Sequence, residues 1–493
     1  MFNKIRKTIA AAFMGCVAAA MFWAGGGVVR PAHAAEIVNV EYIVGFVKNK
    51  WDVDVPYEEE EIHWAANVEY LLKVVDYVNG KLNNGEKTNY GESEYATKEV
   101  VDTIAANQAI RTLIKKKDTG CPANTFCFTP AESNGNEFKF WIGAKGTFYI
   151  DWGDGRIDTI EKTEFGLQEI SHEYADAAAN HTIKLSGRAT EYAPPMAGLD
   201  LNSLAIVFVD VNEGTMMELS SIDGCLGCVF PTLANGAQPV FYGTFMEQQQ
   251  LKTLPSTLFN GITGAGSPAM FYGTFMGCVG LESVPDKLFG ELSGAPAMYM
   301  FTETFSGCAG LESIPENLFA GIQGAPAEAM FSTTFHGCSG LTGPIPEKLF
   351  AGIQGAPAAD MFSSTFSGCS GLTGPIPEKL FAGIQGAPAE GMFSTTFMNC
   401  SGLESIPEHL FDGIDTSGKY RNAMFGETFL NCTSLTGSSA RINGKYLYEI
   451  WPDAYLQYTY EYATGLSDYD CIPYDWGGPG KKNPGECPLP ETE

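Results

Sequence analysis

The chain has 493 residues, too many for one hydrophobic core, so we expect several units or a repeat array. Apolar residues make up 45% of the sequence, which is ordinary for folded proteins and excludes a chain that is disordered throughout. The formal net charge of −28 at pH 7 argues against nucleic acid as a partner, favours solubility and permits weak Ca²⁺ association.

Residues 1–34 have the pattern of a secretory signal peptide. A basic start, "MFNKIRK", precedes an apolar stretch and an A-x-A cleavage site at Ala32-His33-Ala34. An uncleaved membrane anchor and a lipid on Cys16 are alternative interpretations, and no later apolar run is long enough to span a bilayer. We expect an exported protein, secreted or on the cell surface. Without this segment, Lys plus Arg falls from 30 to 26 against 58 acids, which makes the net charge −32.

Residues 35–120 predict a helical hairpin. Val68, Leu71, Val75 and Val78 step by three and four residues, as on one face of a helix. "NGKLNNGEKTNYG" interrupts this pattern, and a second helical stretch ends in "KKK", which suits a helix C-terminus. We expect the hairpin to pack internally, although an exposed stripe could hold a partner helix.

Residues 121–195 change to a β pattern. "EFKFWIGAKGTFYIDWGDGRIDTI" alternates apolar with polar residues and is rich in Phe, Tyr, Ile and Thr. "DWGDG" predicts a tight turn in which Gly153 and Gly155 take positive φ angles. Asp151, Asp154 and Asp158 lack the spacing of a calcium loop, so the structural turn is favoured over a metal site.

This region resembles the PKD domain, a small immunoglobulin-like β-sandwich of exported and cell-surface proteins. The resemblance covers about 60 residues and rests on a W-G-D-G turn and a later H-x-Y: Trp152, Gly153, Asp154, Gly155, His172 and Tyr174. It implies a spacer or binding module. We interpret His172 as a hydrogen-bonded core residue rather than a base or a metal ligand.

Residues 196–240 are predicted to link this domain to the following repeats and to cap them. About seven units of 30–32 residues fill residues 241–436, and a fixed period of this size predicts a solenoid. Phe331 and Phe335 share a helical spacing, and Pro346 suits the first position of a second helix. Each unit is therefore predicted to be helix, turn, short strand, helix and loop, which makes the chain a multidomain α+β protein containing an α/β solenoid.

The predicted solenoid is curved, because stacked strands lie about 4.8 Å apart whereas packed helices need about 8–10 Å. A single unit buries too little apolar surface to be stable alone, so stacking and end caps are expected. The concave strand side is the expected binding surface.

The repeats resemble a bacterial surface-protein family related to BspA-type leucine-rich repeats. The matching pattern is F-x-x-C-x-x-L-x-x-I-P, as in Phe305, Cys308, Leu311, Ile314 and Pro315. The predicted repeat core comprises Phe275, Cys278, Leu281, Phe305, Cys308, Leu311, Phe335, Cys338, Leu341, Phe366, Cys369, Leu372, Phe397, Cys400 and Leu403. The resemblance implies an exported or surface-displayed protein, often adhesive, with no catalytic residue. The units here are longer than the usual repeats of that family.

The cysteines divide into two groups. Six recur once per repeat, and we interpret them as a buried ladder of thiols, with disulfides between neighbouring repeats as the alternative. Three sequence-local pairs are candidate disulfides: Cys121 with Cys127, Cys225 with Cys228, and Cys471 with Cys487. "CLGC" matches a redox motif but lacks its βαβ context, so a loop or strained disulfide is favoured.

Residues 437–493 are rich in Tyr and Trp and are predicted to cap the last repeat, although stacking on a sugar is an alternative. H-E-x-x-H, G-x-S-x-G and Walker A motifs are absent from the sequence. We therefore expect no enzyme, no catalytic residue and no cofactor. The predicted function is adhesion or binding of a protein or glycan through the repeats. A purely structural envelope protein and a glycan-active hydrolase with a C-terminal site are the alternatives.

Overall fold

The structure is a computed structural model that describes residues 121–194, 203–211, 213–419, 422–454 and 457–481. The predicted signal peptide and helical hairpin, and Cys487, lie outside the described residues. The chain forms two compact units, Met1–Thr125 with Gly155–Ile157 and Phe126–Asp154 with Asp158–Glu493. Within the first unit, the Cys121 sulfur lies 3.3 Å from the Thr125 carbonyl oxygen. No helix in the described ranges has both the length and the apolar character needed to cross a membrane.

Two antiparallel sheets lie near the start of the described chain. Their strands are β1 (Phe126–Pro130), β2 (Glu137–Ile142), β3 (Lys145–Asp151), β4 (Ile157–Lys162), β5 (Gln168–Glu173), β6 (Ile183–Glu191), β7 (Ile206–Val207) and β8 (Leu219–Gly224). One sheet has the strand order β4-β3-β6-β1-β8 and the other β5-β2-β7. The short helix α1 (Leu226–Val229) follows β8.

The alternating residues of these strands meet in one aromatic core. Phe128 of β1 lies 5.5 Å from Phe140 of β2 and 5.1 Å from Phe208, measured between ring centroids. Since β1 and β2 belong to different sheets, these rings hold the two sheets face to face. The alternation read from the sequence therefore reflects strands that are buried on one side.

The predicted α/β solenoid is wrong, since the structure is mostly β with antiparallel sheets. Within the described residues of 241–436, the repeats contain no α-helix and consist of turns joined by isolated parallel bridges, such as Gly324 to Ile353. Two short strands, β9 (Gly374–Pro375) and β10 (Leu403–Ser405), pair in parallel. The helix-like spacing of Phe331 and Phe335 belongs to a run of overlapping turns.

Left-handed residues explain why no helix forms. Ala329, Thr333 and Gly337 have φ angles of 49°, 53° and 69°, so every fourth residue leaves the right-handed region. Alternate N–H groups then point in different directions. The Ser332 N–H donates within its own turn to Ala329, whereas the Thr333 N–H donates to the Ser363 carbonyl of the next repeat at 2.8 Å. A helix would use these donors internally and leave none for the neighbouring repeat.

Three columns of stacked phenylalanine rings run through the repeats. Successive centroids lie 5.5–5.8 Å apart in the column of Phe245, Phe275, Phe305, Phe335, Phe366, Phe397 and Phe429. They lie 5.5–6.0 Å apart in the column from Phe241 to Phe425 and 5.6–6.3 Å apart in the column from Phe259 to Phe411. The strong curvature predicted from unequal strand and helix spacings therefore has no basis here.

Aromatic rings cover both ends of the column from Phe245 to Phe429. Phe208 stacks on Phe245 at 5.6 Å, and Tyr460 stacks on Phe429 at 5.7 Å. Thr459, Tyr460, Ala463 and Leu466 occupy the Thr, Phe, Cys and Leu positions of a further, degenerate repeat, and the Thr459 hydroxyl donates to Phe425 O as the repeat threonines do. Before it come β11 (Arg441–Ile442), β12 (Lys445–Tyr446) and the helix α2 (Leu447–Ile450).

Candidate binding surface

Charge is unevenly distributed along each repeat. We define the Met-Phe segments as residues 238–247, 268–277, 298–307, 328–337, 359–368, 390–399 and 422–431. Together they contain six carboxylates, one histidine and no lysine or arginine. The Phe side chains of these segments are buried, as are the Met side chains that directly precede a Phe, and the outward positions carry the charge.

Tyrosines lie beside these carboxylates in the first three repeats. The Tyr242 and Tyr272 rings lie 5.1 Å apart and meet edge to face. Burial and then the Glu303 carboxylate raise the pKa of Tyr272 to about 12. The Tyr299 hydroxyl donates to Glu328 Oε1 at 2.8 Å, and this hydrogen bond raises the pKa of Tyr299.

The carboxylates continue the patch through the next repeats. Asp360 has a raised pKa because of partial burial and then repulsion from Glu390 and Glu328. Asn422 Nδ2 donates to Glu390 Oε1 at 3.1 Å. These contacts connect one surface, which we call the tyrosine–carboxylate face: Tyr242, Tyr272, Tyr299, Glu303, Glu328, Asp360 and Glu390. Aromatic rings beside carboxylates can stack on a ligand and accept its hydrogen bonds.

A second stretch of each repeat carries both signs of charge. We define the Pro-Leu-Phe segments as residues 255–262, 285–292, 315–322, 346–353, 377–384 and 407–414. They hold three lysines and one histidine beside seven carboxylates. Lys348 Nζ lies 3.4 Å from Glu316 Oε1 of the preceding repeat. In these segments, therefore, part of the negative charge is paired with a lysine of a neighbouring repeat.

The PKD-like motif forms one hydrogen-bonded cluster. Trp152 Nε1 donates to Asp158 Oδ2 at 2.8 Å, and the Tyr174 hydroxyl donates to the Trp152 carbonyl at 3.0 Å. His172 Nε2 lies 2.8 Å from Asp154 Oδ2, and its ring stacks on Trp152 at 4.9 Å. Burial raises the pKa of Tyr174. The cluster braces the turn.

The turn itself has the expected backbone. Gly153 and Gly155 have φ angles of 83° and 99°. The Gly153 N–H donates to Asp151 Oδ1 at 3.0 Å. Nowhere in the described parts of the chain do three or more His, Cys, Asp or Glu side chains converge as metal ligands.

The predicted repeat core is buried throughout, with each Phe, Cys and Leu at 0–1% exposure. The six repeat cysteines are free thiols. Each donates to a Phe carbonyl of the preceding repeat, as Cys338 does to Phe305 O at 3.0 Å. Burial raises the pKa of Cys278, Cys369 and Cys432 to about 12. Such thiols are poor nucleophiles and act as packing groups.

A disulfide joins Cys225, the N-cap residue of the short helix α1, to Cys228 within that helix. Cys121, Cys127 and Cys471 are also disulfide-bonded. The first repeat has Gln248 where later repeats have Cys, and its side chain accepts from Leu219 N at 2.6 Å and donates to Met217 O at 3.2 Å. Gln248 therefore attaches the first repeat to the start of β8.

The tyrosine–carboxylate face was not predicted from the sequence. Aligning the Met-Phe segments with one another would have revealed it, because the alignment shows the charge at each repeat position. The buried threonine column was also missed. Its members donate at 2.8–3.0 Å, Thr244 to Ile206 O of β7 and the others to the preceding repeat, as Thr334 does to Phe301 O. Comparisons with protein-family models, with curated proteins and with solved structures found no match for this chain.

Proposed function

We propose that this chain is an exported, non-enzymatic protein, secreted or on the cell surface, that binds a protein or glycan ligand through the tyrosine–carboxylate face. The observation that carries the proposal is the continuity of this face. Tyr242, Tyr272 and Tyr299 lie in successive repeats, and Tyr299 is hydrogen-bonded to the first of the carboxylates that continue the patch. The resemblance to BspA-type surface repeats and the signal-like residues 1–34 support export.

The rigid interior suits such a role. Stacked rings, threonine hydroxyls and thiols tie each repeat to the next, so the outer side chains keep a fixed spacing. Side chains held in place lose little freedom when they bind a ligand, which favours affinity.

The test is binding of the purified chain to arrays of glycans and extracellular proteins. We expect a hit that is lost in Tyr272→Ala/Tyr299→Ala. The matched control is Tyr462→Ala/Tyr474→Ala, which removes two exposed tyrosines near the C-terminus, 58% and 72% exposed. Loss of binding in the control alone would move the site to the C-terminal aromatic region. An absence of any hit would favour a purely structural protein.

A further inference from the structure

The tyrosine–carboxylate face has a charge that only one class of ligand complements. Six carboxylates and no lysine or arginine lie on the Met-Phe segments, within a chain of net charge −28. Anionic glycans and acidic peptides would be repelled, whereas a positively charged group would be attracted and steered toward the face.

The side chains are also arranged as cation sites. The Tyr299 ring lies beside Glu328, with 2.8 Å between the hydroxyl and Oε1, and 36% of this tyrosine is exposed. Tyr272 lies close enough to Glu303 for the carboxylate to raise the pKa of the tyrosine hydroxyl. A ring face next to a carboxylate offers a cation–π contact and an ion pair to the same guanidinium or ammonium group.

The carboxylates are spaced along the repeats rather than gathered at one point. Glu303, Glu328, Asp360 and Glu390 come from four successive repeats, one from each. Successive ring centroids of the column from Phe271 to Phe393 lie 5.5–5.9 Å apart, which gives the spacing of the repeats. Alternate residues of an extended peptide are about 6.7 Å apart, so alternate side chains of such a peptide fall near successive repeats. A single metal ion does not match this spacing.

We propose that the tyrosine–carboxylate face binds an extended, basic segment of a partner protein, with Lys or Arg at alternate positions lying against successive repeats. This inference rests on the proposed function and narrows its ligand to one class.

The probe is a fluorescent peptide that alternates arginine with serine, and the readout is the anisotropy of this peptide mixed with the full chain. The same peptide with glutamate in place of arginine, and a neutral oligosaccharide, are measured beside it. We expect the arginine peptide alone to bind, and we expect its affinity to fall as salt is raised.

Two matched triple variants separate the face from general acidity. Glu303→Gln/Glu328→Gln/Asp360→Asn removes three charges from the face, and Glu316→Gln/Glu347→Gln/Glu378→Gln removes three from the Pro-Leu-Phe segments. All six carboxylates are at least partly exposed, so the fold should survive. We expect the first variant to bind the peptide at least tenfold more weakly and the second less than threefold. Tyr299→Ala should weaken binding about two- to thirtyfold.

Equal losses in the two triple variants would show attraction by net charge and would overturn the inference. Binding of the neutral oligosaccharide without the arginine peptide would also overturn it, while leaving the proposed function standing. Binding of none of the probes, together with empty glycan and protein arrays, would overturn both.

Discussion

The Met-Phe and Pro-Leu-Phe segments cover the same interior but differ in charge and backbone. The Met-Phe segments carry carboxylates without lysine or arginine and take a left-handed residue every four positions. The Pro-Leu-Phe segments carry both signs and place Lys348 against Glu316. One stacked interior therefore supports two surfaces of different charge, and the Met-Phe segments have no lysine or arginine to offset their carboxylates.

Both surfaces cover the same closed interior, which contains the six repeat thiols. Because the pKa of Cys278, Cys369 and Cys432 is raised to about 12, few of these thiols are ionised at pH 8. An ordinary thiol has a pKa of about 8.5, so the thiolate population falls by about a thousandfold. We expect the six repeat thiols to be inert to a disulfide reagent in the folded chain and to react fully in denaturant. Rapid reaction of these thiols in the folded chain would show that the reagent reaches the interior through one of the two surfaces.

A different ring column lies beneath each of the two surfaces. Phe335 and Phe350 are 0% and 3% exposed, and each stacks on rings in both neighbouring repeats. Phe335→Ala and Phe350→Ala should each lower the free energy of unfolding by about 3–5 kcal/mol. Urea unfolding measures both. A small loss of unfolding free energy at only one of the two positions would mean that the two ring columns contribute unequally to stability.

The left-handed backbone gives a smaller, stabilising prediction. Thr333 has a φ of 53°, which is unfavourable for a β-branched residue, and its buried hydroxyl has no hydrogen-bond partner. Thr333→Gly should raise the free energy of unfolding by about 1 kcal/mol. The matched control is Thr342→Gly, because Thr342 is exposed and its φ angle is not positive. This change should lower the free energy of unfolding by about 0.5–1 kcal/mol. Destabilisation by Thr333→Gly would contradict the turn geometry.

The smallest effect tests the charge of the tyrosine–carboxylate face. The folded state raises the pKa of Asp360 through burial and repulsion, so it holds the proton more tightly than the unfolded state does. This carboxyl therefore destabilises the fold at neutral pH, and the penalty fades as pH falls through the raised pKa. Asp360→Asn should raise the melting temperature at pH 7, with a smaller difference at pH 4. Glu347→Gln is the control, and we expect it to leave the melting temperature nearly unchanged at either pH.

The sequence predicted which repeat side chains are inside, because burial needs only the period and the apolar pattern. That pattern places Phe335, Cys338 and Leu341 in the interior, and all three are fully buried. The β character of residues 121–195 was likewise visible from alternation in "EFKFWI".

The backbone of the repeats was not predictable in the same way. Phe331 and Phe335 are four residues apart, and this spacing fits both a helix face and a run of overlapping turns. The left-handed positions of that repeat are Ala329, Thr333 and Gly337, and only the glycine signals such a conformation. The further repeat at 459–466 was hidden because Tyr460 and Ala463 replace Phe and Cys.

The proposed basic partner segment would cover the carboxylates of the tyrosine–carboxylate face. The most direct measurement is carbodiimide labelling of carboxylates, read by mass spectrometry, with and without the arginine–serine peptide. We expect the peptide to protect Glu303, Glu328 and Asp360 and to leave Glu316, Glu347 and Glu378 as reactive as before. Equal protection of both sets, or protection of the second set alone, would contradict it.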